Sequence, residues 1–169
     1  MMPNKAFTHE SGREGVTNVW LTPKHITDAL GEFDLDPCAA PHPRPWDIAK
    51  KHYDITVGED GLSLPWRGRV WCNPPYGPHA EDWLKLMAQH NQGIALIFAR
   101  TETKAWQKQV WPRASGILFL AGRIRFCRPD GTPGDSAAAP SALVAYGGRD
   151  SDILRSCVLP GAFVRPITR

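Results

Sequence analysis

No apolar run in this 169-residue chain approaches the roughly 18 residues that a membrane helix needs. The polar stretch from Met1 to Asn18 also lacks the apolar segment of a signal peptide, so a soluble, cytoplasmic protein with no membrane partner is expected. No C-x-x-C pair occurs among the four cysteines at 38, 72, 127 and 157. That spacing argues against a zinc cage or a small disulfide framework and predicts reduced, mostly buried thiols. The six histidines are scattered and suggest no metal site. There is no internal repeat and no large charge excess, since 20 Lys and Arg face 17 Asp and Glu. The net charge of +3 permits a nucleic-acid partner without requiring one. A composition of 42% hydrophobic and 22% charged residues is that of an ordinary globular chain, and the length suits one domain.

Residues 1 to 19 carry no sustained period and are expected to form a mobile arm, with a single domain over residues 20 to 169. Thr22-Pro23 supplies a capping hydroxyl and a first-turn proline, which predicts a short helix over about residues 23 to 30. Phe33-Asp34-Leu35-Asp36 alternates apolar with acidic and stops at Pro37, a short strand that presents a carboxylate at its end. Tyr53 to Val57 reads as a further brief strand, after three prolines between 41 and 47. Arg69 to Cys72 is a strand that Asn73-Pro74-Pro75-Tyr76 must terminate, because consecutive prolines cannot donate to a ladder. Ala80, Trp83, Leu84 and Met87 follow helical spacing over residues 79 to 90.

The continuous apolar run from Ile94 to Ala99 marks a strand buried on both faces of a mainly parallel sheet. A short helix is expected over Thr103 to Val110. Consecutive strands follow at Ile117 to Leu120 and Ile124 to Cys127, then a loop over residues 128 to 140 and a last strand at Leu143 to Tyr146. This order predicts an α/β fold whose parallel sheet gains antiparallel strands near the C-terminus.

In such a sheet, ligands sit beyond the carboxyl ends of the strands, so Asp36 and the Asn73 to Tyr76 turn are expected to face one crevice. The turn combines an amide oxygen, the backbone carbonyl of Pro74 and an aromatic ring. That set suits a planar amine: the Asn73 oxygen and the Pro74 carbonyl each accept one N–H, while Tyr76 stacks on the ring that bears it.

Asn73-Pro74-Pro75-Tyr76 resembles the (Asp/Asn/Ser)-Pro-Pro-(Tyr/Phe/Trp) signature of S-adenosylmethionine-dependent amino methyltransferases. Wider blocks resemble the small phage and prophage DNA N6-adenine methyltransferases, the Dam-like family: Trp20-x-Thr22-Pro23, Phe33 to Ala39, Asp60-Gly61-Leu62 with Trp66, Ala99-Arg100-Thr101-x-Thr103, Gly122 to Phe126, and Ser141-Ala142-Leu143. The resemblance implies a single-domain, Rossmann-like class I methyltransferase of a phage or prophage. It would act in the cytoplasm of the bacterial host on double-stranded DNA, with a role such as protection from restriction-modification.

It further implies that Asn73, Pro74, Pro75 and Tyr76 are catalytic, acting on an adenine flipped out of the duplex. Thr22, Pro23, Asp36, Pro37, Cys38 and Ala39 would line the cofactor, with Asp60 near its adenine or amine, and Trp20 and Trp66 beside the site. Asp54 is a candidate for the cofactor ribose, since a carboxylate accepts both hydroxyl protons. Arg100, Lys104, Arg123, Arg125 and Arg128 are candidates for phosphate contacts. One departure is the absence of a glycine-rich turn after Asp36.

Plainer roles compete with these. Asp36, Asp54 and Asp60 could simply cap turns, and the arginines could form a solvated face. The same turn also suits RNA or a protein glutamine amide as acceptor, and a non-catalytic DNA-binding module of the same fold is a further alternative. The sequence leaves the oligomeric state and the target site open.

Overall fold

A computed structural model describes residues 19–167, so the arm expected over residues 1 to 19 lies, apart from its last residue, outside the described residues. Four strands come first: β1 at Phe33–Asp36, β2 at Ala49–His52, β3 at Val70–Cys72 and β4 at Gly93–Phe98. They lie side by side in the order β2-β1-β3-β4, all parallel. Then come β5 at Gly116–Leu120, β6 at Arg125–Cys127, β7 at Pro133–Ser136, β8 at Ser141–Tyr146 and β9 at Gly161–Val164. β8 pairs antiparallel with both β4 and β5, and β9 pairs antiparallel with β5, completing a seven-stranded mixed sheet. The architecture is α/β and compatible with a Rossmann-like fold, parallel in its first half and antiparallel in its second, as the order of the sequence elements predicts.

Strand alternation splits the core into two layers. Leu35, Val70, Ala95, Ile97 and Val144 point to one face, where Trp83, Leu84 and Met87 of α2 (Ala80–His90; α1 is Lys24–Asp28) pack with Trp106 and Val110. Phe33, Trp71, Ile94, Leu96 and Leu143 point to the other, against Ile26 and Leu30 from the α1 region and Leu154 of α3 (Gly148–Ser156). Full burial of each such side chain contributes about 1.5–3 kcal/mol, which is what docks short helices that would not persist alone. α2 is further favoured by Glu81 and Asp82 in its first turn and by left-handed Asn91 closing its end.

Several expectations need correction. The strand expected at Tyr53 to Val57 lies earlier, at β2, and Ile55–Val57 is a 3₁₀ turn capped by Asp54. The helix expected over Thr103 to Val110 winds as a π-helical turn at Trp106–Val110, with the Trp111 N–H reaching the Trp106 carbonyl. The strands at Ile117 to Leu120 and Ile124 to Cys127 are present as β5 and β6, but part of the loop expected over 128 to 140 is β7, which pairs with β6 in a separate two-stranded sheet. Nor is Tyr146 the end of the last strand, because α3 and β9 follow it.

α3 is tied to the sheet by a buried ion pair as well as by Leu154. Arg69 Nε donates to Asp150 Oδ1 at 2.7 Å, and both side chains are almost fully buried. Arg69 Nη1 also donates to the Leu30 and Glu32 carbonyls, and its guanidinium lies over the Phe33 ring.

Candidate active site

From β1 the chain moves to β2 on one side of the sheet, then crosses back to β3 on the other, so the strand order reverses between β1 and β3. A crevice opens at such a reversal. With Leu35 opposite Val70, the carboxyl ends of β1 and β3 are level. Asp36 is the last residue of β1 and Asn73 the first after β3, so the two strand ends singled out in the sequence do meet at one place.

The contact between them runs through Cys38. Asp36 Oδ1 accepts the Cys38 N–H at 3.2 Å, and Cys38 Sγ donates to the Asn73 carbonyl at 3.3 Å. Cys38 Sγ also lies 3.8 Å from Cys72 Sγ; that contact and burial hold the Cys38 thiol well above the usual range. All four cysteines are free thiols. Asp36 is 5% exposed, and burial pushes its carboxyl up to about 7, against the opposing pull of the Cys38 N–H and the Arg44 charge. Pro37 is buried, while Ala39 is half-buried and donates its N–H to the Tyr53 carbonyl.

Asn73 is gripped from the other side. Its Nδ2 donates to Thr22 Oγ1 at 3.3 Å. The Thr22 hydroxyl, expected to cap α1, thus makes no cap bond: Pro23, itself buried, stands at the cap position, and Thr22 serves the Asn73 turn instead. Leu21, one residue before, exchanges two backbone hydrogen bonds with Cys127 of β6, each 2.8 Å. Asn73 Oδ1 is buried and has no hydrogen-bond partner among the described residues. Leaving such an oxygen unpaired costs about 1–3 kcal/mol, so it stands ready for a donor from outside the chain.

In the rest of the turn, Pro74 is buried and Pro75 exposed, while half of the Tyr76 surface is open. The Tyr76 ring lies parallel to that of Phe98, 7° apart in plane and 4.2 Å between centroids. Arg100 places its guanidinium over the Phe98 ring at 5.5 Å, and Lys104 is exposed.

The remaining acids cap turns locally. Asp54, 7% exposed, accepts the Thr56 N–H and hydroxyl at 2.8 and 2.6 Å. Burial works to raise its pKa, but the Thr56 bonds and the His42 N–H bring it below the ordinary value. Asp60 accepts the Ser63 hydroxyl and the Leu62 N–H, which lower its pKa as well. Trp66 stacks on Trp83 and meets His90 edge-on, on the α2 side of the sheet.

Arg123, Arg125 and Arg128 are exposed, yet each is anchored on the β7 side of the hairpin. They donate to the carbonyls of Ala137, Gly134 and Pro133 at 3.2, 3.0 and 2.7 Å. Trp20 lies under the same hairpin, so close to Gly134 that a Cβ there would meet its ring at 2.5 Å.

Two residues of this region are not visible from sequence as parts of a site. Phe98 ends an all-apolar run and reads as core. Arg44 sits among prolines, and its nearly buried side chain bonds Asp47 and the Ala40 carbonyl while its charge reaches Asp36 and Asp54. Among the described residues no group of three metal-binding side chains occurs, and no helix is long and apolar enough to cross a membrane.

Compared with known proteins, the chain has no match among curated proteins and none among solved structures. A model of the DNA N-6-adenine-methyltransferase (Dam) family does match it, over residues 10–149, most of its length. That span includes both strand ends of the crevice, the Asn73 to Tyr76 turn and the β6–β7 hairpin. The chain therefore belongs to the Dam family of DNA N-6-adenine methyltransferases.

Proposed function

We propose that this protein transfers a methyl group from S-adenosylmethionine to the N6 amine of an adenine flipped out of double-stranded DNA, with Asn73, Pro74, Pro75 and Tyr76 receiving the base. The observation that carries this reading is the buried, unpartnered Asn73 Oδ1 at the reversal point of the sheet. An exocyclic amine has two hydrogens to donate, and Asn73 Oδ1 and the Pro74 carbonyl supply two acceptors. Together they draw the nitrogen lone pair out of conjugation and stabilise the positive charge that develops on nitrogen during attack. No strong base is needed beforehand.

Extruding a base costs a few kcal/mol, and stacking on an aromatic ring returns about 1–3 kcal/mol, so Tyr76 offsets much of that cost. The chain's residues fit the cofactor as well. Asp36 is a buried acid whose side chain bonds Cys38, suited to a cationic ammonium or sulfonium; Pro37, Cys38 and Ala39 follow it out of the sheet, and Thr22, next to Pro23, bonds Asn73 across the crevice. Asp54, kept ionised by its turn, suits the ribose hydroxyls, and Asp60 is assigned to the cofactor adenine or its amine. When bound, S-adenosylmethionine supplies the electrophilic methyl group. Arg100, Lys104 and the hairpin arginines 123, 125 and 128 provide phosphate contacts beside the crevice.

The test incubates purified protein, and an Asn73→Ala control, with S-adenosylmethionine and unmethylated DNA, then quantifies N6-methyladenosine in the nucleoside digest by mass spectrometry. Product from wild type alone is expected. Methylation of RNA or of a glutamine amide with none on DNA would overturn the choice of acceptor, and absence of cofactor binding would overturn the enzyme reading altogether.

A further inference from the structure

We propose that Phe98 is a positioning residue for the acceptor base: it backs the Tyr76 ring, so that the base stacks on the opposite, open face. The inference rests on the methyltransferase reading above and concerns a residue that the Asn-Pro-Pro-Tyr turn does not contain.

The geometry starts from strand register. Cys72 stands opposite Ala95 in the parallel β3–β4 pair, so the chain beyond Cys72 runs out of the sheet alongside the last residues of β4. Phe98, at the end of β4, is thereby brought against Tyr76. Its backbone is held on the β8 side and at its carbonyl: it pairs with Ser141 of β8, and its carbonyl accepts Trp106 Nε1 at 2.9 Å and the Arg100 N–H at 2.8 Å.

Tyr76, by contrast, sits on an exposed stretch, residues 75 to 79, beyond the sheet. The parallel contact with Phe98 is the ring packing that sets its plane. A centroid separation of 4.2 Å is already that of close stacking and leaves no gap for a base between the two rings. Phe98 covers one face of the ring while half of the Tyr76 surface stays exposed, so the base is received on the face turned away from Phe98. A flat ring behind Tyr76 holds that face in one orientation before the base arrives, so less freedom is lost when the base stacks.

Because Phe98 acts through Tyr76, its effect depends on Tyr76. Phe98→Ala is expected to lower kcat/KM for DNA about 3- to 10-fold, the range of one aromatic pair. Phe98→Leu, which keeps apolar volume without a flat ring, should lose as much, while Phe98→Tyr should restore wild-type values. Cofactor affinity, measured by calorimetry, should stay within about twofold in all three. In a Tyr76→Ala background, Phe98→Ala should have no further effect on methyl transfer. Full independent losses that multiply in the double variant would overturn the proposal, as would wild-type rates in Phe98→Leu. A wild-type protein that makes no N6-methyladenine would instead overturn the function reading, and the base stack with it.

Discussion

Replacing Asp36 by Asn should stabilise the protein increasingly as pH rises. Burial lifts the folded-state carboxyl from 3.8 to about 7. Between those values the folded chain holds a proton that the unfolded chain has lost, so stability falls with rising pH by about 1.4 kcal/mol per pH unit. Over the whole window, wild type loses roughly 4 kcal/mol from this one group, with no further loss above pH 7. Asparagine keeps an oxygen for the Cys38 N–H and never ionises. The measurement is urea denaturation of both proteins at intervals from pH 4 to 8, taking the difference in unfolding free energy. That difference should rise from near zero to roughly 4 kcal/mol. Taking the difference removes the opposite trend from carboxylates such as Asp34, Asp47 and Asp130, whose pKa values are lowered and which therefore lose stability as pH falls. A difference that does not change with pH would refute the argument that Asp36 is buried without adequate compensation.

Further expectations follow from the same geometry. If Asp36 receives the cationic end of S-adenosylmethionine, binding near pH 6 must drive a proton off it. Calorimetry in buffers of different ionisation enthalpy should show that release in wild type and none in Asp36→Asn. Asp150→Ala leaves Arg69 charged and buried without its partner, and should cost about 3–5 kcal/mol in denaturant unfolding; a cost under about 1 kcal/mol would show that the pair is dispensable. Alanine at Arg123, Arg125 or Arg128 should flatten the dependence of log K for DNA on log salt by about 0.9 for each phosphate left without its arginine. Parallel salt lines would assign these arginines to holding the hairpin alone.

What the sequence discloses of the fold depends on whether the stabilising contact is local. Ile94 to Phe98 is legible because a strand covered on both faces must be apolar throughout. β2 is hidden because it is an edge strand: Ala49-Lys50-Lys51-His52 holds one buried residue, and its lysines guard an exposed edge. α3 is hidden for another reason. Leu154 is its one fully buried apolar residue, and its Asp150 pairs with Arg69, which directly precedes β3, a partner that no local period reveals. The site follows the same division. Asp36 and Asn73 are visible as odd residues at strand ends, whereas the bond from Asn73 to Thr22 and the stack of Tyr76 on Phe98 exist only after the strands have been laid side by side. Thr22 reads as a helix cap because a hydroxyl before Pro23 satisfies the local rule for one, and the rule is blind to Asn73.

The missing glycine-rich turn after Asp36 finds its physical answer in two places. Pro37 and the Asp36 carboxylate close the turn themselves, through the Cys38 N–H, and the Ala39 N–H reaches the Tyr53 carbonyl, so no residue there adopts a positive φ. The close approach that glycine allows is made from outside, by Gly61, where a Cβ would stand 1.8 Å from the Pro37 carbonyl oxygen and 2.9 Å from the Trp83 ring. The backbone of the β1 exit therefore has a glycine pressed against it rather than within it. Gly61→Ala must shift that exit, which carries Asp36 and Cys38. Overpacking of this kind costs about 1–3 kcal/mol. The variant should thus remain folded near room temperature while losing at least tenfold in S-adenosylmethionine affinity, measured by calorimetry beside a thermal melt. A Gly61→Ala protein that melts lower but binds the cofactor as wild type does would show that the β1 exit does not hold the cofactor.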